Sequence, residues 1–177
     1  RRVATFVPPG NVNQYEPPKL RRIEAGPDAA GRAAIAPSEA GRVVLAYIAS
    51  RTGQQVKRPA LNAEGFVLDH LNREAVEHHL ERVAEPLLRA FGEQPPYAVF
   101  SDSLEVYGTD WTADFAEQFR KRRGYDLLPH LPAIFHGIGE HAGALRRDWA
   151  LTQTELVNER YLTPMADWAR AHRTRFR

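Results

Sequence analysis

Two short apolar runs, Val43-Val44-Leu45-Ala46-Tyr47-Ile48-Ala49 and Tyr97-Ala98-Val99-Phe100-Ser101, are separated by a stretch with helical period. That order constrains the fold more than any other feature of the chain. Apolar runs of this length, bounded by polar residues, suit strands covered on both faces, as in a parallel sheet. Between them Val76, Leu80, Val83, Leu87 and Phe91 recur at helical spacing, which predicts one helix over Asn72 to Phe91. Asn72 can cap it, Glu74 suits its positive first turn, and Gly92 ends it. Pro86 is expected to kink its last turns. Strands alternating with helices argue for an α/β fold, a parallel sheet joined by crossover helices.

The other segments fit that scheme. Val3 to Val7 reads as a short strand, followed to about residue 42 by a loop-rich entry segment punctuated by Pro8-Pro9-Gly10, Pro17-Pro18 and Gly26-Pro27. Phe66-Val67-Leu68 reads as a short strand or a lead-in to Asp69. Thr112 to Arg123 is predicted as a second helix, with Phe115 and Phe119 on one face and Gly124 closing it. Leu145 to His172 is a third helical stretch, expected to break near Thr163-Pro164, where a Thr cap and a first-turn Pro restart it. Arg175-Phe176-Arg177 reads as a strand just starting. Neither end carries a recognisable start or stop, so the 177 residues are expected to be a fragment of one larger domain, with βα units over 43–177.

Composition removes several classes of function. At 43% hydrophobic and 26% charged residues, the chain has enough apolar side chains to bury a core. Lys+Arg exceeds Asp+Glu by 24 to 22, a formal net charge of +2, and acidic residues are interleaved with basic ones. No nucleic-acid partner is expected from so weak a bias. No run of about 18 apolar residues is present, so no membrane span is expected. The absence of cysteine excludes a disulfide framework, a zinc–thiolate site and a cysteine nucleophile, and leaves the compartment open.

In α/β sheets, open or closed into a barrel, the functional loops lie at the C-terminal ends of the strands. Ser50 to Asp69 and Asp102 to Trp111 are therefore the segments to inspect. The second holds two carboxylates, Asp102 and Glu105, followed by Tyr107 and Trp111. Carboxyl groups perform acid and base chemistry on sugars, and aromatic faces stack on sugar rings, so this loop suits half of a glycosidase site. The alternative is that Asp102 and Asp110 cap turns and Trp111 packs under the next helix. Asp69 either points into the same cleft or begins the helix, and local pattern favours the second role. His78 and His79 are adjacent on a helix and make no metal pair. His130, His136 and His141 share a Pro- and Gly-rich loop, but their irregular spacing is not that of a zinc site. Lys121-Arg122-Arg123 suits a helix C-terminus, and Gly137-x-Gly139 has no strand before it and carries little weight.

The run Asp102-Ser103-Leu104-Glu105-Val106, then Asp110-Trp111-Thr112, then Phe119-Arg120-Lys121-Arg122-Arg123-Gly124-Tyr125-Asp126 and Pro129-His130-Leu131-Pro132, resembles the α-L-rhamnosidase-like proteins of glycoside hydrolase family 106. Their pattern reads D-S-x-E, W-T, and F-x-x-R-R-G-Y-D-x-x-P-x-L-P. Val67-Leu68-Asp69-His70-Leu71, Arg147-Asp148-Trp149 and Asn158-Glu159-Arg160-Tyr161 also match, so the resemblance runs from about Phe66 to the C-terminus. Leu104 departs from it, standing where many relatives carry an aromatic residue.

The resemblance implies a catalytic (β/α)8 barrel, of which this chain is a partial piece, within a longer multidomain protein that removes terminal α-linked rhamnose from glycans. It implies an inverting mechanism with one glutamate as general acid and another as base, and a calcium ion near the sugar. Glu105 is then the candidate general acid. Asp102, Trp111 and Asp69 are the candidate substrate-binding residues, Asp69 for sugar or ion. The resemblance places the base on a later strand, beyond Arg177, in the rest of the parent chain; inversion needs two carboxyls roughly 6.5–9.5 Å apart, and Asp102, only three residues from Glu105, is given a supporting role. The piece alone is expected to be inactive, and an enzyme of this kind is expected in the periplasm or outside the cell. Two other readings stay open: a barrel glycosidase of different sugar specificity, and a non-catalytic carbohydrate-binding protein on the same barrel.

Overall fold

The computed structural model describes residues 2–7, 21–22, 28, 30, 32 and 44–177; most of the Pro- and Gly-rich segment before residue 44 lies outside them. The chain divides into two compact units, Arg1–Ser50 with Asp114–Thr152, and Arg51–Ala113 with Gln153–Arg177.

In the first unit, strands β1 (Arg2–Val7), β2 (Arg21–Arg22) and β3 (Leu45–Ile48) form a three-stranded sheet in the order β2-β1-β3. Both pairings are antiparallel, with Phe6 opposite Arg22 on one side and Leu45 on the other. This corrects the expectation that the Val43 to Ala49 run belongs to a parallel sheet covered on both faces. Along β3 half-buried and exposed residues alternate, and Ile48 is 67% exposed. Antiparallel sheets tolerate one open face. A short apolar run has no feature that distinguishes the two kinds of strand, because its partner lies elsewhere in the chain.

Helix α3 (Phe115–Arg123) buries Phe115 and Phe119, as their spacing predicts, and stops at Gly124, whose φ of 82° is left-handed. Its last turn carries four cations, where the exposed carbonyls favour them. Phe119 meets Tyr125 edge to face at 5.0 Å, and the Tyr125 hydroxyl donates to Asp148 at 2.8 Å. The expected loop around His130 and His136 is instead a 3-10 turn (Leu128–His130) running into helix α4 (Leu131–His136). Pro132 stands in the first turn, where a missing N–H costs nothing, and Gly137 takes the left-handed stop at φ 69°. Proline and glycine here punctuate a short helix. Leu127, Leu131 and Ile134 join the two phenylalanines in the buried set.

The second unit contains helices α1 (Arg73–His79) and α2 (Glu85–Ala90) joined by a π turn, Leu80–Ala84. Asn72 caps α1 by accepting from the Ala75 N–H at 3.2 Å. The predicted single apolar face does not persist. Val76 and Leu80 are buried, but Val83, Leu87 and Phe91 are 43%, 60% and 55% exposed. The π turn inserts one residue, which rotates everything after it by about 100°. Ala84 and Leu88 consequently take the half-buried positions that Val83 and Leu87 would hold in an unbroken helix. The turn also accommodates Pro86, which has no N–H to donate back along the helix.

Helix α5 (Ala142–Val157) continues through a second π turn, Asn158–Leu162, into α6 (Thr163–Ala171). The break expected at Thr163-Pro164 is this π turn. Thr163 does not cap a new helix, since Leu162 before it is already helical at φ −63°, ψ −44°. Tyr161 packs with Val76 and Leu80, and Leu68, Met165 and Trp168 close around them. The chain then turns at Arg173 and ends in β5 (Arg175–Phe176), which pairs in parallel with β4 (Ala98–Val99). Both strands were expected from their apolar residues, and their parallel pairing across intervening helices is α/β in character.

Candidate functional site

The loop that follows β4 carries the predicted acidic residues, and it lies wholly within the second unit. The ladder extends to Ser101, whose N–H donates to the Arg177 carbonyl at 2.9 Å. Ser101 Oγ also shares a 2.7 Å hydrogen bond with the Tyr161 hydroxyl, so the core residue of α6's preceding turn fixes the point where the strand becomes a loop. Asp102 follows in an exposed position, one carboxylate oxygen accepting the Ser103 N–H at 2.7 Å. The chain then folds tightly: the Glu105 N–H donates to the Ser103 carbonyl at 2.8 Å and the Val106 N–H to the Leu104 carbonyl at 2.7 Å. Gly108, at φ 67°, turns it back.

Glu105 is exposed, with 58% of its side chain accessible, and the Lys57 ammonium lies 3.5 Å from its carboxylate. Sequence reasoning marked the 50–69 segment but neither Gln54 nor Lys57 within it. Gln54 Nε2 donates to the Glu105 carbonyl at 2.6 Å, and its Oε1 accepts the Tyr107 N–H at 2.9 Å. The 54–67 segment is an antiparallel hairpin, with the Val56 N–H donating to Gly65, the Val67 N–H to Gln54, and Gln55 opposite Phe66.

Asp69 is half-buried and uses both carboxylate oxygens. One accepts the Leu71 N–H at 3.0 Å, closing the turn into α1, and the other accepts the buried Thr112 hydroxyl at 2.9 Å. Asp69 is thereby joined to the far end of the β4 loop, beside half-buried Trp111. Gln153 donates to the Asp110 carbonyl at 3.2 Å, and burial pushes the Asp110 carboxyl above its usual range. Asp102 and Glu105 share the first half of the loop, while Asp69 and Trp111 meet its second half.

A family model described as alpha-L-rhamnosidase, glycoside hydrolase family 106, matches residues 32–175. The chain belongs to glycoside hydrolase family 106. Among solved structures, this family 106 chain is similar to the rhamnosidase from Novosphingobium sp. PP1Y, with TM-score 0.66 and 24% identity over 92% of this chain and 16% of that one. It is also 27% identical over 131 residues to a Formosa agariphila protein that carries a provisional beta-glucuronidase name, covering 71% of this chain and 11% of the relative. The chain thus spans between a tenth and a fifth of the length of these relatives.

Among the described residues of the family 106 chain, no three His, Asp or Glu side chains come together as a metal site. Each carboxylate oxygen of Asp69 accepts one hydrogen bond. No helix among these residues is long and apolar enough to cross a membrane.

His70, next to Asp69, lies edge-on to the Tyr161 ring at 4.6 Å, and its Nδ1 is buried with no hydrogen-bond partner among the described residues. Burial holds its titration below the usual 6.5, a shift that the Asp69 charge opposes and His79 reinforces. The folded state therefore favours the neutral ring. The stability this ring contributes is complete above pH 6.5 and is lost as pH falls toward the lowered folded value. We expect the His70 imidazole to titrate by NMR with a midpoint below 6.5, and His70→Gln to lessen the loss of stability between about pH 7 and 5. A midpoint at or above 6.5 would contradict this account.

Proposed function

We propose that this chain contributes the general-acid half of the active site of an inverting α-L-rhamnosidase built on a (β/α)8 barrel. The observation that carries the reading is the position of Glu105: an accessible carboxylate on an ordered loop at the C-terminal end of β4, in a family 106 chain. The ends of parallel strands are where barrels of this kind place their chemistry, and β4 pairs in parallel with β5.

In this mechanism Glu105 protonates the glycosidic oxygen as the bond to the sugar breaks. A second carboxylate, supplied by the rest of the protein, activates water on the opposite face of the ring. Asp102, exposed beside Glu105, accepts hydrogen bonds from sugar hydroxyls. Trp111 forms one wall of the sugar site, and Asp69 positions that end of the loop through Thr112. The substrate is a rhamnose-bearing glycan, met in the periplasm or outside the cell. The same reading keeps the calcium ion near the sugar that the resemblance implies, with Asp69 as the residue that would meet sugar or ion.

The name of the Formosa relative keeps a second sugar class in view, since loops rather than the barrel set specificity. The full-length protein is expected to hydrolyse aryl α-L-rhamnosides in preference to aryl β-D-glucuronides. Proton NMR during the first turnovers is expected to show the inverted anomer of the released sugar. Preference for the glucuronide would replace the rhamnoside assignment, first release of the retained anomer would exclude the inverting mechanism, and binding of sugars without hydrolysis would favour a carbohydrate-binding protein.

A further inference from the structure

We infer that Gln54 is a positioning residue for Glu105, its carboxamide acting as a one-residue strand that sets the geometry of the acid-bearing loop. The inference rests on the general-acid reading of Glu105 and deepens it. The hydrogen bonds inside the loop, from Glu105 to Ser103 and from Val106 to Leu104, reach back only two residues. They shape a turn without tying it to the rest of the unit. Gln54 supplies that tie across 51 residues of sequence, donating to the Glu105 carbonyl and accepting from the Tyr107 N–H. A main-chain residue in a parallel ladder makes the same two bonds, to the carbonyl before and the N–H after the residue it faces. Here Val106 is the residue so bracketed.

The clamp is itself anchored. The Gln54 N–H donates to Thr52 Oγ1 at 3.2 Å, and its carbonyl accepts the Val67 N–H at 3.0 Å within the 54–67 hairpin. Both bonds are solvent-exposed, as is Glu105, but one anchored side chain makes the two together. The neighbouring Lys57–Glu105 pair is solvent-exposed on both sides, at 76% and 58%, and exposed pairs of this kind constrain geometry weakly. Orientation of the acid is therefore assigned to the amide.

Two variants of the full-length protein, Gln54→Ala and the isosteric Gln54→Glu, test this, with Glu105→Gln as reference. Misplacing a reacting group by about 1 Å costs on the order of a hundredfold, so Gln54→Ala should lower kcat on an alkyl α-L-rhamnoside by about 10- to 100-fold and change KM by less than about threefold. An activated dinitrophenyl rhamnoside, whose leaving group needs little protonation, should be affected far less. Amide hydrogen exchange at Tyr107 should quicken in Gln54→Ala and remain partly protected in Gln54→Glu, which keeps the acceptor but not the donor. Unchanged exchange at Tyr107 overturns the clamp. Faster exchange with kcat unchanged, or with equal losses on both substrates, overturns its service to the acid. If Glu105→Gln retains activity, the catalytic reading fails and the positioning role fails with it, while the exchange result still decides whether Gln54 orders the loop.

Discussion

Glu105→Gln in the full-length protein is expected to lower hydrolysis of alkyl α-L-rhamnosides by about 10²- to 10⁴-fold, the range over which a positioned acid or base contributes. The substitution preserves the shape of the side chain. Its main-chain bonds to Gln54 and Ser103 do not depend on the carboxyl, so the loop should keep its form. What is lost is a proton that can be given to the departing oxygen. The deficit should therefore grow with the basicity of the leaving group and nearly vanish for dinitrophenyl rhamnoside. A uniform deficit across leaving groups would move Glu105 from acid to base or binding group. Activity within a few-fold of the unaltered protein on every substrate would remove it from the mechanism.

The largest expected effect on stability lies in the other unit. Phe119 is fully buried, as are Phe115 and Leu127 in the same unit, and its ring meets Tyr125 edge to face. Phe119→Ala should cost about 3–5 kcal/mol, combining lost transfer energy with the cavity left behind. The loss should exceed simple area arithmetic, because Tyr125 would lose the surface that orients its hydroxyl toward Asp148. Denaturant unfolding of the purified protein measures this, with Phe119→Leu as a milder comparison. A cost below about 1 kcal/mol would mean that the site collapses without strain and that Phe119 is not a keystone of this core.

Much of the element pattern could be read from residue order. The strands at Ala98–Val99 and Arg175–Phe176, the Asn72 cap, and the Gly124 stop are local matters of apolar residues and backbone conformation. Pro86 and Pro164 marked where the two long helices would be disturbed, but not that each disturbance is a π turn just before the proline, at Leu80–Ala84 and Asn158–Leu162. Their register shifts show only in which side chains are buried: Ala84 where an unbroken helix would bury Val83. The partner of β3 was equally hidden, because a four-residue apolar strand does not state whether its neighbour runs with it or against it.

The candidate site divides along the same line. Asp102, Glu105 and Trp111 stand out by sequence because they cluster after a strand, and the chain's place in family 106 follows from motifs within its own residues. The sequence by itself determined which side chains could carry acid chemistry and roughly where they leave the sheet. Only the tertiary structure decided what holds them: Gln54 on the Glu105 loop, Thr112 on Asp69, Tyr161 on Ser101. These bonds join residues 43 to 60 positions apart. Hydrogen bonds are short-ranged and indifferent to sequence separation, so their partners are set by how the elements pack.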